Sequence, residues 1–400
     1  MLVKTNKSFN QFTRHALLEK VGGYVNKSKS LEEEIVRLRN RNNLNRIYRF
    51  DLGENVDGFS PMVNDFLENL YKNEILFSKL NEYPDITHLS LRKRLGAIFN
   101  IPRQNIVISA GLDSILDLIT RAFFEYRDVF LMPVPNFFLF ESYSERMGAT
   151  PVFLRLNEDD NFIWTENTIE KFKDLIVKFR PKIIWLSNPN NPTGQIIPEE
   201  TLLEIIDLAS AYNIYVVVDE AYHEFVGTPN DSIVKYSQKY YNLMVLRTFS
   251  KALGLAGIRL GYLMCSDNNI IEALLMHRHH FPLTQMSINI ARIATKDLSF
   301  ILKTQKNTNE RRKILFENLV KLKTFKYIPS LTNIFMLKNK LLSATELDKK
   351  LKQFGIVTSH LNITGIAQDD YLRITVRNED DNLYFFKICS KINDELLTQS

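Results

Sequence analysis

Lys251 stands in the run Arg247-Thr-Phe-Ser-Lys-Ala-Leu-Gly-Leu-Ala-Gly-Ile-Arg259, which continues Leu260-Gly-Tyr262. A lysine amine can form an imine with an aldehyde cofactor, and an incoming amino acid can later displace it. Arg259, further along the same run, offers a permanently charged, bidentate partner for a phosphate. Between them Gly254, Ala256 and Gly257 let the chain turn tightly. A lysine taken alone is usually a solvated surface charge, but this run of small residues has no obvious solvent face.

Other residues extend the same chemistry. Asp219 closes the apolar run Tyr215-Val-Val-Val218. An unpaired carboxylate at the end of a buried strand is costly and has its pKa raised, so it needs a cation or a protonated nitrogen nearby. A protonated pyridine is one such partner and becomes a better electron sink through the pairing; a structural salt bridge or a helix N-cap is the alternative. Ser187-Asn-Pro-Asn-Asn-Pro-Thr-Gly194 contains two prolines that fix φ and remove donors. Such a run holds amide side chains rigidly, so Asn191 could donate to a phenolate-like oxygen, although Pro-Thr-Gly is also the composition of a plain turn. Gly111-Leu112-Asp113 opens a helical stretch whose free N–H groups and dipole favour an anion such as phosphate, with N-capping by Asp113 as the other account. Phe137, in Pro133-Val-Pro-Asn-Phe137, could stack on a planar ring or simply pack in the core.

These residues share a position in the pattern. Between about 100 and 265, short continuous apolar runs alternate with amphipathic stretches: Ile106–Ser109, Val129–Met132, Ile183–Leu186, Tyr215–Val218 and Leu243–Leu246. Continuous rather than alternating runs predict strands buried on both faces, as in a mostly parallel sheet covered by helices. Helical spacing over Asp113–Phe124 and Pro198–Tyr212 supplies such helices. The expected fold class is therefore α/β, with ligands bound beyond the carboxyl ends of the strands. Gly111, Asn191, Asp219 and Lys251 all follow such ends. Beyond 300 the pattern changes to a charged helix over Gln305–Leu322, strands over Asn333–Leu337 and Tyr371–Val376 and a helix over Ala344–Phe354, which predicts a smaller α+β domain. The expected organisation is a basic arm over 1–45, a large domain over 76–295, and a small domain made of 46–75 with 296–400.

At 400 residues, 45% hydrophobic and 24% charged, the chain has ordinary globular composition. Its net charge of +5 is too mild to imply nucleic acid. The excess is local: the first fifty residues hold only four acidic side chains, three of them in Leu31-Glu-Glu-Glu-Ile-Val-Arg-Leu-Arg39, a predicted short charged helix of an arm or dimer contact. That arm is too short and polar for the helix-turn-helix module of a DNA-binding regulator. Cys265 and Cys389 match no metal or redox spacing. No run approaches the ~18 apolar residues of a membrane span, and no apolar secretion signal opens the chain, so a cytoplasmic protein is expected.

The order and spacing of these motifs resemble the fold-type I aminotransferases that use pyridoxal phosphate (PLP), most closely the histidinol-phosphate aminotransferase group. The resemblance covers residues 46–390. It is carried by Tyr83-Pro-Asp85, Gly111-Leu-Asp113, Pro135-Asn-Phe137, Asn190-Asn-Pro-Thr-Gly194, Asp219-Glu-Ala-Tyr222, Arg247-Thr-Phe-Ser-Lys251, Arg259 and Leu372-Arg-Ile-Thr375. It implies that Lys251 holds PLP as an aldimine and then shuttles a proton while the cofactor cycles through pyridoxamine phosphate. Asp219 would pair with the pyridine nitrogen, Tyr222 and Asn191 would bond the ring oxygen, and Phe137 would stack on the ring. The amides of Leu112 and Asp113, with Ser250 and Arg259, would hold the phosphate. Tyr83 would reach the cofactor phosphate of a second subunit, which implies a homodimer with shared active sites. Arg373 would bind the substrate carboxylate, and Asn55 would lie near the substrate. The implied partners are an amino acid, or a phosphorylated amine such as histidinol phosphate, and a 2-oxo acid; no metal is implied.

Four positions depart from the group's pattern. Val56 replaces a proline, Asp57-Gly58 an aromatic-glycine pair, Ser114 an acidic residue and Arg377 a glycine. The arginine is similar to that of threonine-phosphate decarboxylases on the same fold, which makes a PLP decarboxylase or lyase the alternative activity. His277-Arg-His-His280 precedes Pro282-Leu-Thr284, which in the family lies near the active-site mouth. Those histidines are expected to read a polar or phosphorylated substrate, and they lack the carboxylate or thiolate companions of a metal site.

Overall fold

A computed structural model describes residues 31–42, 44, 46–73 and 81–399. Most of the basic arm lies outside the described residues; its charged stretch is a helix over Leu31–Asn42. Thirteen strands are formed among the described residues: β1 (Tyr48–Arg49), β2 (Ile106–Ser109), β3 (Val129–Val134), β4 (Thr150–Arg155), β5 (Ile183–Ser187), β6 (Tyr215–Asp219), β7 (Leu243–Thr248), β8 (Gly261–Met264), β9 (Phe325–Tyr327), β10 (Ile334–Asn339), β11 (Ile356–Val357), β12 (Ser359–His360) and β13 (Leu372–Thr375).

The central sheet has the order β2-β8-β7-β6-β5-β3-β4. Strands β4, β3, β5, β6 and β7 run parallel, and their apolar runs are buried because helices cover both faces. The expected α/β fold is the one observed. Two strands, β4 and β8, fall outside the apolar runs that predict strands. The second matters most, because β8 runs antiparallel between β2 and β7. Its first residue, Gly261, therefore pairs with both Ser109 and Thr248, at the same edge as the carboxyl ends of the parallel strands. That reversal carries Arg259, just ahead of Gly261, back to the Gly111 turn. A side chain at Gly261 would come within 2.8 Å of Leu112 N and Gly111 C, so only glycine lets the two turns close on each other.

A second sheet, β12-β13-β10-β9, is antiparallel and packs on the helices Leu298–Leu319, Ala344–Gln353 and Glu379–Gln399. The first of these helices starts seven residues before its predicted start at Gln305. Asp297 caps it by accepting from Phe300 N at 3.0 Å, a start signal that the charged spacing of the later turns conceals. Of the segment 46–75, the described residues 46–73 are shared between the two bodies. Strand β1 pairs with β11 and Phe50 joins the smaller core, whereas Val63, on the helix Pro61–Lys72, belongs to the core of the central sheet. Glu158, after β4, accepts from Lys326 on β9 and Lys338 on β10 at 2.9 and 2.7 Å, tying the sheets together. No helix among the described residues is long and apolar enough to cross a membrane.

The turn after Lys251 shows how tightly the strand ends are built. Gly254 has φ +69°, and a Cβ there would lie 1.6 Å from Gly58 O, whereas one on Gly257 would meet nothing within 4 Å. Gly254→Ala is expected to lower the denaturant unfolding midpoint by the equivalent of at least about 2 kcal/mol, while Gly257→Ala stays within about 0.5 kcal/mol of the parent. Equal effects would show that the contact with Gly58 is not what fixes this turn.

Candidate active site

Lys251 follows β7 and points across to the segment that precedes the helix Pro61–Lys72. Its Nζ donates to Leu52 O at 3.0 Å and lies 5.1 Å from the centre of the Tyr222 ring. Gly53 (φ +63°) forms the facing wall. A Cβ on it would be 3.1 Å from Tyr222 Oη and 3.5 Å from Lys251 Nζ, so the missing side chain leaves space in front of both groups. Tyr222 Oη is buried and has no hydrogen-bond partner among the described residues. A buried hydroxyl without a partner is costly, and marks a place where a ligand atom would satisfy it.

Asp219 ends β6 beside this space. Its carboxylate accepts from Ala221 N, at 2.9 Å to Oδ1. Burial pushes its carboxyl up to about 7; the Ala221 N–H opposes the rise, the neighbouring Glu220 adds to it, and Lys251 lowers it. The next residue has the opposite fate. Glu220 accepts from Arg247 Nη1 at 2.7 Å and from Ile233 N at 2.9 Å, and Arg247 Nη2 reaches Glu224 at 2.8 Å. Burial works to raise Glu220, but His223 and Arg247 carry it below the ordinary carboxylate range. The structural salt bridge considered for Asp219 thus belongs to Glu220. Asp219 has a charge requirement that no side chain among the described residues meets by hydrogen bond.

The remaining predicted groups arrange around this centre. Asn191 Oδ1 accepts from Arg373 Nη1 at 3.0 Å, and Arg373 Nη2 donates to Asp51 O at 2.7 Å. Arg373 is brought in by β13 of the smaller sheet, and its buried Nε is unpartnered among the described residues. The Asn191 loop is held by Ser187 Oγ, which donates to Asn136 Oδ1 at 2.6 Å and receives Asn190 Nδ2 at 3.1 Å and Asn191 N at 3.3 Å. Phe137 follows Asn136 at the cap of the helix Phe138–Arg146 and packs edge-on against Phe138 and Phe140.

At the other end, the helix Gly111–Phe123 begins at Ala110 with no side-chain cap. Asp113 is therefore not the N-cap; its carboxylate faces Arg259 Nη2 at 3.5 Å, both groups about half exposed. Such an exposed pair is weak, and leaves uncapped amides and a guanidinium at one helix start, the arrangement of an anion site. Ser250 N donates to Thr248 Oγ1, which donates to Ser250 Oγ at 3.0 Å.

Two predicted residues stand differently. Asn55 uses both ends of its amide, donating to Ala252 O at 2.7 Å and accepting from Asp57 N at 2.9 Å, so it clamps the Gly53 segment onto the turn after Lys251. Tyr83 is 82% exposed and stacks on Phe281. Leu52 O, Gly53 and the Glu220–Arg247–Glu224 triad escape a reading by residue type. Arg247 and Glu220 lie inside recognisable motifs, but a backbone carbonyl leaves no signal in residue type. Two of the departures from the family pattern, Asp57 and Arg377, are absorbed structurally. Asp57 is paired with Arg311 at 2.7 Å and Asn307 at 3.2 Å. Arg377 pairs with Asp381 at 3.2 Å, in the first turn of the last helix, which gives its charge a structural partner.

The sequence model of the class I and II aminotransferases matches residues 52–387. This chain belongs to that family. A histidinol-phosphate aminotransferase of Caldanaerobacter subterraneus subsp. tengcongensis is 35% identical over 366 residues, spanning 90% of this chain and 98% of the relative. Among solved structures, a histidinol-phosphate aminotransferase from Sinorhizobium meliloti in complex with pyridoxal-5'-phosphate has a TM-score of 0.80 at 18% identity, covering 98% of this chain and 99% of that one. An L-threonine-O-3-phosphate decarboxylase from Porphyromonas gingivalis reaches 0.71 at 22% identity, covering 87% and 100%. At such identities these likenesses concern the fold. The protein is a PLP-dependent aminotransferase, and its residues fit that cofactor. A lone buried carboxyl suits a ring nitrogen, an orphaned hydroxyl suits a ring oxygen, and the uncapped helix suits a phosphate.

The lone carboxyl gives the cofactor-free aminotransferase a pH signature. Asp219 keeps its proton up to about pH 7 when folded but loses it near 3.8 when unfolded. Its contribution to stability is therefore lost progressively as pH rises from about 4 to 7. In the cofactor-free state, Asp219→Asn should be more stable than the parent above about pH 7, by a few kcal/mol, with the difference vanishing below about pH 4. Urea unfolding across that range checks the sign; a pH-independent difference would contradict the assignment.

Proposed function

We propose that this aminotransferase moves an amino group between a phosphorylated amine of the histidinol phosphate type, or an amino acid, and a 2-oxo acid, with Lys251 as its reactive amine and a homodimer as its working form. The observation that carries this reading is the meeting of Lys251 Nζ, the unpartnered Tyr222 Oη and the unpaired Asp219 carboxyl around the space that Gly53 leaves open. Histidinol-phosphate aminotransferases among its relatives support the substrate class.

PLP, when bound, supplies an aldehyde and an electron-withdrawing ring. Everything else falls to the chain. Lys251 would hold the cofactor through its amine and, with substrate bound, would be the group that moves a proton at the substrate Cα. Asp219, ionised, would hold a proton on the ring nitrogen and so favour electron withdrawal by the ring. Tyr222 and Asn191 donate to the ring oxygen; Asn191 Nδ2 makes no hydrogen bond among the described residues, because Arg373 fixes only the other end of its amide. Arg373 serves a carboxylate of the substrate. Ser250, Arg259 and the amides of Leu112 and Asp113 hold the cofactor phosphate, and Phe137 covers the ring. Tyr83, largely exposed, would serve the cofactor phosphate of the second subunit. In this reading 76–295 is the cofactor-carrying unit, and 296–400, joined by β1, is the smaller one.

Incubation with histidinol phosphate and 2-oxoglutarate should yield glutamate, and Lys251→Ala should lower turnover by at least about 10³-fold while the protein stays folded. With threonine phosphate, which unlike histidinol phosphate carries a carboxylate, carbon dioxide release without glutamate formation would replace transamination by the decarboxylase chemistry of the same fold. Turnover retained in Lys251→Ala would exclude Lys251 as the reactive amine.

A further inference from the structure

Tyr83 is presented outward on a support that the cofactor site does not account for. Immediately after it, Asp85 folds the chain into a tight turn, accepting from Thr87 N at 2.9 Å and Leu89 N at 3.2 Å. From the opposite side comes the segment after the helix Asn268–His277. Arg278 Nη2 donates to Ile86 O at 2.7 Å, and Arg278 Nη1 approaches His88 Nδ1 at 3.3 Å and Ile108 O, on β2, at 3.4 Å. Burial, reinforced by the Arg278 charge, pushes His88 down to about 4, so its ring is neutral and its Nδ1 can accept from the guanidinium. Arg121 Nη2 holds the preceding carbonyl, His277 O, at 3.0 Å. With both segments pinned, Phe281 meets Tyr83 face to face, ring centroids 4.4 Å apart and planes 26° from parallel.

This pair is unusual in lying outside any core: Tyr83 is 82% and Phe281 46% exposed. A tyrosine so exposed ordinarily samples its rotamers freely, and stacking on a fixed neighbour removes that freedom before any ligand arrives. We infer that Phe281, held by the Arg278 clasp, is a positioning residue that fixes the Tyr83 ring in the orientation from which its hydroxyl reaches the cofactor phosphate of the second subunit. The inference rests on the cross-subunit role proposed for Tyr83. It assigns the segment Arg278–Phe281 a mechanical role in cofactor retention, where its histidines had suggested a direct reading of substrate.

The test uses the full-length holoenzyme and the apparent affinity for PLP, followed by the absorbance of the bound cofactor during titration. Phe281→Ala should weaken that affinity about fivefold, with the oligomer unchanged by gel filtration at the same protein concentration. Phe281→Tyr should restore it, because the ring face is kept, and Phe281→Leu should not, because only bulk is kept. The double variant Tyr83→Ala with Phe281→Ala should retain PLP no worse than Tyr83→Ala alone, as two residues acting through one ring require. Tyr83→Phe, which keeps the stack and loses the hydroxyl, separates the role of Tyr83 from that of Phe281. If Tyr83→Phe binds PLP like the parent, the cross-subunit role of Tyr83 fails and the inference with it. If Tyr83→Phe is weakened while Phe281→Ala is not, only the positioning role falls. Dissociation of the oligomer by Phe281→Ala would likewise overturn it, making Phe281 an interface residue instead.

Discussion

Two acidic side chains stand next to each other where β6 ends, both buried, and they are treated in opposite ways. Glu220 turns to the side where Arg247, Ser232 and the Ile233 amide surround it. Asp219 turns to the side where the nearest compensation is one backbone amide and the more distant charge of Lys251. Much of the site follows from this asymmetry. A carboxyl in an apolar surrounding favours its proton unless a cation joins it, so the end of β6 is ready to take a cationic group and destabilising without one. The Glu220–Arg247–Glu224 triad engages both terminal nitrogens of Arg247, and Lys251 is the cation whose charge acts on Asp219.

The rest of the architecture brings charges of the right sign to fixed distances from that point. Reversal of a single strand, β8, returns Arg259 to the uncapped start of the helix Gly111–Phe123. The smaller antiparallel sheet delivers Arg373 on β13 to the opposite side, where Asn191 and Asp51 O orient its guanidinium. Arg259 and Arg373 are thus carried in by separate elements, one to the Gly111 turn and the other to Asn191 and Asp51 O. The Gly53 segment closes the space by backbone alone: Leu52 O holds the lysine amine, Thr375 Oγ1 accepts from Gly53 N at 2.9 Å, and Asn55 ties the segment to Ala252 O. Each contact joins residues some two hundred positions or more apart, so the site and the packing of the two sheets form together.

Much of this is legible in residue types. The continuous apolar runs mark the buried parallel strands, and the polar residues at their ends mark Lys251, Asp219, Asn191 and Gly111 as neighbours without any geometry. What stays hidden has physical reasons. Strand β8, Gly-Tyr-Leu-Met, is too short to announce its direction, and direction is what places Arg259. The helix from Leu298 starts ahead of its predicted position because its cap, Asp297, looks in sequence like one more charge in a charged stretch. Arg377 and Asp57 stand out as departures from a family pattern, yet their roles are ion pairs with Asp381 and Arg311. A charge type cannot say which of many opposite charges it will meet.

By itself the sequence determined the chemistry available to this protein: an amine, a carboxyl at a buried strand end, a rigid amide loop and a glycine-led helix start, in an order shared with the aminotransferases. These are properties of residue type and local backbone, and they persist whatever the chain packs against. Only the tertiary structure decided which groups keep free valences. Tyr222 Oη and Asp219 are left without a side-chain partner among the described residues, Glu220 and Asp113 are provided with one, and Tyr83 is held outward against Phe281. The reason is that hydrogen bonds and charge pairs are satisfied across space, by neighbours that the connection order of strands and sheets supplies, and sequence spacing carries no measure of that distance.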